Sequence, residues 1–257
     1  MKTLLTLALT ALVASTASGQ WADVPPTPVL LGPDGRPDLS APAPRRPDGT
    51  PDLSGIWNPP AGYIRDIARN REGDIPFQPW AKAVYDERAA GLHWLDEPDA
   101  NCLPQGVPKV LLAPAPWRIV QTPQIVFFIH EAFNLWWQAF TDGRRFVPHP
   151  DVAPTWHGYS TASWDGDTLV VESGGFNGEV WLDQLGKPST EQLHVTTRFR
   201  RKDFGHLDIN VTIDDPGAYT EPWSITAEAT LLPNTELMEF ICLENERNTS
   251  MRKTQDQ

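Results

Sequence analysis

The feature that most constrains the fold is a change of pattern at Trp117, after which apolar and polar residues alternate with a period of two. That period is typical of half-buried β-strands, whose successive side chains point to opposite faces. The alternating segments are short, and turn residues such as Asp142-Gly143 and Asp165-Gly166 separate them. Short strands with almost no helix between them pair antiparallel. The candidate strands are 117–121, 124–130, 134–141, 159–164, 167–173, 193–201, 206–213, 223–231 and 236–243.

A meander of this kind closes on itself or folds over, because open sheet edges invite aggregation. We therefore expect a mainly β, single-domain protein with an antiparallel β-barrel, or a strongly curled calycin-like meander, over residues 117–246. The 26 prolines argue against a mostly helical chain, since an internal proline removes a helix hydrogen bond. One short helix is predicted over 79–90, with Trp80 and Ala83 on its apolar face and Gly91 at its end.

The turns also predict two hairpin registers. If Asp165-Gly166 is a two-residue turn, Thr161 lies opposite Val170. In the hairpin that follows residue 193, an intact apolar face requires Arg198 opposite Asp208. A slip of one residue would move every side chain to the other face, so this register is well specified.

The segments outside the predicted barrel differ in composition. Residues 20–60 are rich in proline and contain a short repeat, PDGRPDLS at 33–40 and PDGTPDLS at 47–54. Pro-Asp-Gly favours a turn, so this segment is predicted to be an extended strap that wraps or tethers the barrel. A helix-containing segment, 61–116, is expected to pack on the barrel, and 247–257 form a polar tail.

Residues 1–19 have the pattern of a secretory signal peptide, with an apolar run at 4–13 and a small-residue cleavage site near Gly19. The run is far shorter than the ~20 residues needed to cross a bilayer, so stable membrane insertion is not expected. The sequence predicts a periplasmic or secreted protein. In that setting Cys102 and Cys242 are expected to form a disulfide, the alternative being two buried thiols.

Charge and motifs exclude several classes of partner. The chain has 21 Lys+Arg against 33 Asp+Glu, a net charge of −12, and no basic cluster, so a nucleic acid is not expected to bind. His130-Glu131 and His149-x-Asp151 offer metal ligands, but no zinc-protease or cupin-type spacing accompanies them. Nucleotide and dinucleotide loops are absent from the sequence too. No metal and no cofactor are expected, and nothing in the sequence bears on oligomeric state.

The polar face of the hairpin after residue 193 is the first candidate site. It carries His194, Arg198, Arg200, His206 and Asp208. Two interpretations are open. The face is either an acid–base cluster for an anionic or hydroxylated ligand, or the solvent side of an ordinary strand pair with an Arg198–Asp208 ion pair.

Two long irregular loops, 146–159 and 174–192, form the second candidate site, since such loops are often functional. If both rim one end of the barrel, they gather side chains suited to a small-molecule pocket: Trp156, His157, Asn177, Trp181 and Asp183. The alternative is that the tryptophans fill the barrel end as core.

These residues lead to an enzyme hypothesis: cofactor-independent acid–base chemistry, of lyase, isomerase or hydrolase type, on a small hydroxylated or aromatic molecule. The catalytic candidates are His194, His157, Tyr159, Glu172, Asp183 and Arg198. The substrate-binding candidates are Trp156, Asn177, Trp181, Arg144, His206 and Asp208. One alternative is a non-catalytic barrel that binds a small molecule. The other is a structural or assembly protein of the envelope that contacts its partner through the strap.

An ordered set of motifs spans residues 50–246: PDLSGIW (51–57), CLPxGxP (102–108), TDGR (141–144), WDGDTLVV (164–171), GFN (175–177), WLD (181–183), RFR (198–200), TIDDP (212–216), YTxPW (219–223) and FICxEN (240–245). This set resembles a large family of exported proteins of uncharacterised function from soil and aquatic bacteria. The resemblance implies export, a single domain, and a common framework for Cys102 and Cys242. In that family a histidine often stands where this chain has Ser189, so a role for that histidine would not carry over here.

Overall fold

A computed structural model describes residues 30–146, 153–242 and 244. Within this part of the chain, nine strands form a closed barrel in sequence order, which confirms the predicted mainly β fold. The strands are β1 (Gly55–Asn58), β2 (Trp117–Gln121), β3 (Ile125–His130), β4 (Trp136–Phe140), β5 (Tyr159–Asp165), β6 (Thr168–Gly174), β7 (His194–Arg201), β8 (His206–Asp214) and β9 (Trp223–Leu231). The helices are α1 (Pro79–Ala89) and the single turn α2 (Lys109–Leu112), with 3-10 segments at Trp94–Asp96, Pro98–Asn101 and Ala132–Asn134.

The interior of the barrel is filled by the apolar face that the alternation predicts. Along β7 and β8 the inward side chains are buried and the outward ones are half-buried or exposed. Phe128 lies at the centre of an aromatic cluster, with ring centroids 4.3 Å from Trp137 and 5.1 Å from Phe199. Each such ring pair adds about 0.5–1.5 kcal/mol beyond its buried area.

The barrel is closed by a strand that the sequence did not reveal. β1 lies inside the segment predicted to be the strap, and it pairs antiparallel with both β2 and β9, with Trp57 opposite Trp117 and Leu231. Trp57 is fully buried and its Nε1 donates to the Leu53 carbonyl at 2.9 Å. Only four residues long, β1 is too short to show an alternation.

The strand predicted at 236–243 is wrong. The described residues of this segment pass along the 3-10 turn after β3, and side chains rather than a neighbouring strand hold their backbone. Met238 N–H donates to Glu131 Oε2 at 2.9 Å, and the Phe240 amide and carbonyl both bond the side chain of Asn134. Because those backbone groups are already partnered, no ladder forms.

The register of the β5–β6 hairpin differs from the predicted one by two residues. The two-residue turn is Gly166-Asp167, so Thr161 lies opposite Glu172 rather than Val170. Gly166 has a φ of +58°, which glycine adopts at little steric cost, and it therefore occupies the first turn position instead of the second.

The β7–β8 hairpin shows the same shift of two, which places Arg198 opposite Asn210 instead of Asp208. The turn lies one residue further along the chain than predicted, where Asp203 Oδ1 accepts the backbone N–H groups of Gly205 (3.0 Å) and His206 (2.8 Å). A shift of two leaves every side chain on its original face, so the predicted apolar face is confirmed.

The predicted hairpin at Asp142-Gly143 is also wrong. β4 and β5 run parallel, and Phe140 opposite Thr161 is their one ladder pair. A parallel connection needs a long crossover, which the segment after Phe140 supplies instead of a tight turn. The barrel wall therefore has its fewest ladder pairs between β4 and β5. We call this boundary between the two strands the seam.

The strap, defined here as residues 30–54, covers the barrel end that holds the β7–β8 turn. The N–H groups of Phe204 and Gly205 donate to the carbonyls of Ala41 (2.7 Å) and Leu39 (2.8 Å). Arg201, at the end of β7, adds a bond from its Nη1 to the Asp52 carbonyl at 2.7 Å. The strap is thus part of the folded body.

The opposite end is covered by the segment between β1 and β2, which the Cys102–Cys242 disulfide ties to the end of the described chain. The predicted helix is confirmed as α1, but its face is not. Ala81 is fully buried, whereas Trp80 is 46% exposed and donates its Nε1 to the Gly217 carbonyl at 2.8 Å. None of the helices in the described ranges is long and apolar enough to span a bilayer.

Candidate functional site

A groove of about 450 Å³ lies over the seam. It is bounded by β4, by the start of β5 and by the segment that precedes β5, so it forms where the ladder between β4 and β5 is shortest. We call it the seam groove. It brings together three residues predicted from the sequence, Trp156, His157 and Tyr159, with Trp136 of β4. Its volume lies in the range of ~300–1,000 Å³ that is usual for small-molecule sites.

The aromatic side chains of the groove differ in how far they are already engaged. Trp137 stacks inside the barrel and Phe140 stacks on Tyr159, with ring centroids 5.5 Å apart. Trp136, by contrast, is 61% exposed, and neither it nor Trp156 has a ring partner or an indole hydrogen bond within the described chain. Trp156 is half-buried and packs against the core, so Trp136 offers the larger stacking surface in the groove.

Two buried histidines lie near the seam, of which His157 lines the groove and His130 does not. His130, the last residue of β3, points inward and is 2% exposed, and both of its ring nitrogens lack a hydrogen-bond partner in the described chain. His157 Nε2 is buried and unpartnered as well. Burial lowers the pKa of His130 to about 3, with a further contribution from nearby His157, and lowers the pKa of His157 to about 4. Both rings are therefore neutral at pH 7.

The backbone before β5 fixes the position of His157. Gly158 has a φ of +65°, and a Cβ there would lie 2.5 Å from the Gly174 carbonyl oxygen. Thr155 N–H also donates to the Gly175 carbonyl at 3.1 Å. This close approach to the end of β6 holds His157 against the barrel rather than in solvent.

Polar groups cross the seam beneath the groove. Trp137 Nε1 donates to Ser160 Oγ at 2.8 Å, and Ser160 shares a hydrogen bond with Ser173 Oγ, also at 2.8 Å. All three side chains are buried. These side-chain hydrogen bonds replace part of the backbone ladder that is missing between β4 and β5.

Arg144 stands at the rim of the groove, as the sequence hypothesis required of a substrate-binding residue. Its Nη1 donates to Tyr159 Oη at 3.1 Å, and its guanidinium lies 3.8 Å from the centroid of Phe140. Its Nε and Nη2 bind the carboxylate of Asp142, and these bonds hold the pKa of Asp142 below its usual value. The charge of Arg144 is thus neutralised locally.

The other predicted site residues lie away from the groove. Those on the outer face of the barrel are half-buried or exposed: Glu172, His194, Arg198, His206 and Asp208. The Arg198–Asp208 ion pair is wrong, because the shifted register brings Arg198 Nη2 to Asp165 Oδ2 at 2.6 Å. This face is not continuous with the barrel interior, which apolar side chains fill.

Asp183 belongs to a buried charge cluster at the barrel end that the β1–β2 segment covers. Its Oδ2 accepts from Lys187 Nζ at 2.7 Å and from the Ile67 N–H at 3.1 Å, and Lys187 also binds Asp66 at 2.8 Å. Burial alone would lower the pKa of Lys187, but the two carboxylates outweigh it and the pKa is raised. These contacts satisfy Asp183 completely within the fold.

Trp181 and Asn177 are likewise engaged in the fold. The guanidinium of Arg88 lies 3.9 Å from the centroid of Trp181, and Asn177 Oδ1 accepts the Glu179 N–H at 3.1 Å. The two loops do meet, since Asn177 N–H donates to the Thr155 carbonyl at 3.0 Å. Their contact does not, however, bring Trp181 or Asp183 to the seam groove.

Sequence reasoning missed several residues of the site. His130 was considered only as a metal ligand with Glu131, although it falls on the inward register of β3 after Val126 and Phe128. Its position in that alternation was the available signal. Trp136 had no such signal, because only the parallel pairing of β4 and β5 places it beside Trp156.

No group of three or more His, Cys, Asp or Glu side chains in the described ranges is arranged to hold a metal ion. His149 and Asp151 lie outside those ranges, as does the segment 1–19 that is predicted to be a signal peptide. Comparisons of the chain with protein-family models, with curated proteins and with solved structures return no match.

Proposed function

We propose that this protein binds a small ring-containing molecule in the seam groove. The observation that carries the proposal is the buried, unpartnered Nε2 of His157 in a groove that also holds two unstacked indoles, Trp136 and Trp156. A buried polar atom without a partner costs about 1–3 kcal/mol, and native proteins retain few of them. A ligand that donates to an imidazole nitrogen while stacking on Trp136 or Trp156 removes that cost.

The binding site is tested by ligand-observed NMR with a library of small ring compounds. Compounds that bind the wild-type protein should lose their saturation transfer in Trp136→Ala and keep it in Trp94→Ala. Trp94 is the matched control, because it is 57% exposed and lies outside the groove. Binding that survives Trp136→Ala, or a library with no binder at all, would contradict the proposal.

A second candidate function is acid–base catalysis in the same groove. It is favoured by the placement of a neutral imidazole, His157, beside the Tyr159 hydroxyl that Arg144 contacts. His157 would act as the base and Tyr159 as the acid. Only His157 and Tyr159 carry this chemistry, because the other predicted catalytic residues lie away from the seam groove. His157→Gln and Tyr159→Phe should each lower kcat for a bound compound by ~10²–10⁴-fold. A compound that binds but is never converted would contradict catalysis and support a non-catalytic binding protein.

We also propose that the chain is exported, as the pattern at 1–19 predicts. The Cys102–Cys242 disulfide supports this, since structural disulfides persist mainly in oxidising compartments. Cell fractionation, with the mature N-terminus sequenced near residue 20, tests this proposal. An uncleaved chain in the cytoplasm would contradict it.

A further inference from the structure

We propose that the ligand of the seam groove is an uncharged ring compound with a hydroxyl group, which stacks on Trp136 and Trp156 and donates its hydroxyl proton to His157 Nε2. This inference rests on the proposed function and names the chemistry of its ligand. Three properties of the groove lead to it: the absence of charge, the two unstacked indoles, and a buried imidazole nitrogen without a hydrogen-bond partner.

The side chains that line the seam groove are all uncharged. Three other grooves on the described surface each include a charged side chain: Arg118 and Glu236 beside β1 and β2, Lys82 beside α1, and Arg36 on the strap. A charged ligand in the seam groove would lose hydration without gaining a counter-charge. The nearest cation, Arg144, is already bound by Asp142 through two nitrogens.

The free indoles require a ligand with a flat or apolar ring face. Trp136 and Trp156 are unstacked, and together they offer two faces to one ligand. A quaternary ammonium ion would also suit such faces through cation–π attraction. It has no proton to donate, however, and would leave His157 Nε2 unsatisfied.

His157 Nε2 selects for a donor. Its ring is neutral at pH 7, as burial lowers its pKa to about 4, so one ring nitrogen carries a hydrogen and the other accepts a hydrogen bond. As part of this proposal we assign the hydrogen to Nδ1, which makes Nε2 the acceptor. A carboxylate offers only acceptors at that pH. A hydroxyl on a ring meets both requirements, whether the ring belongs to a phenol or to a sugar.

Isothermal titration of the mature protein with a panel of simple probes tests the inference. The probes are phenol, methyl glucopyranoside, anisole, benzoate and tetramethylammonium. We expect phenol or the glucoside to bind, and whichever binds more tightly identifies the source of the hydroxyl. Anisole, which has the ring of phenol without its donor, should bind roughly 5- to 150-fold more weakly than phenol if phenol is the binder. Benzoate and tetramethylammonium should bind more weakly still.

His157→Phe, which removes the acceptor, should abolish the difference between the hydroxylated probe and its unhydroxylated counterpart; the matched glucoside control is its fully O-methylated form. If this variant does not fold, the affinities of the hydroxylated probe and its unhydroxylated counterpart for the wild-type protein still test the inference. Benzoate or tetramethylammonium that binds as tightly as phenol, and loses binding in Trp136→Ala, would overturn the inference and leave the proposed function intact. A panel with no binder sensitive to Trp136→Ala would overturn both.

Discussion

Acidification should destabilise this protein through His130 and His157, because both rings are neutral in the folded state. Their pKa values fall from 6.5 to about 3 and about 4 on folding, owing to burial. Between pH 6.5 and the folded values, the unfolded chain binds more protons than the folded one. The stability that depends on neutral rings is therefore complete above pH 6.5 and is lost as pH falls below it.

The magnitude follows from the proton linkage, about 1.36 kcal/mol per pH unit for each ring. From pH 7 to pH 5 each histidine should lower the free energy of unfolding by about 2 kcal/mol, and the pair by about 4 kcal/mol. Urea unfolding at the two pH values, followed by the fluorescence of the 11 tryptophans, measures this difference. Carboxylates also titrate in this range, so the quantity to compare is the difference between the wild-type protein and variants.

His130→Gln with His157→Gln should reduce the loss of stability between pH 7 and pH 5 by about 4 kcal/mol relative to the wild-type protein. His93→Gln, at a histidine whose side chain is 57% exposed, serves as the control and should leave the loss nearly unchanged. If the double variant and the wild-type protein lose stability equally, the two rings are not neutral and buried together as described.

Two further predictions concern the cross-links of the fold. Replacing both Cys102 and Cys242 with serine should lower the free energy of unfolding by about 2–5 kcal/mol, because the disulfide closes a loop of 140 residues and restricts the unfolded chain. A loss below about 1 kcal/mol in guanidinium unfolding would contradict this prediction. Lys187→Met should cost about 3–5 kcal/mol by leaving the buried Asp183 carboxylate unpaired, and adding Asp183→Asn should recover most of that loss; no recovery in the same assay would refute the pairing.

Alternation predicted most of the barrel because it reports directly on which face of a strand is buried. It placed Phe199 and Ile209 inward correctly even though the register was two residues off, since a shift of two keeps each side chain on its face. It failed for β1, which is too short to show a period. It also failed at 236–243, where the apolar residues lie against Glu131 and Asn134 side chains instead of a strand.

The candidate site was predictable only in part. Trp156, His157 and Tyr159 are close in sequence, so a loop hypothesis found them together. Trp136 joins them through strand pairing between distant segments, which no local pattern encodes. Asp183 was wrongly expected in the pocket for a different reason. Its partner Lys187, four residues later, was not considered as a buried charge.

The pairing of β1 with β9 constrains the order in which the chain can fold. The two strands are separated by most of the chain, so the barrel cannot close until Leu231 is available to lie against Trp57. Bringing such distant segments together is slow, because the entropy of a long loop must be lost before any contact compensates for it. Until then the backbone edge of β9 is open to pairing with other chains. A chaperone that keeps newly made copies apart would therefore raise the yield of folded protein.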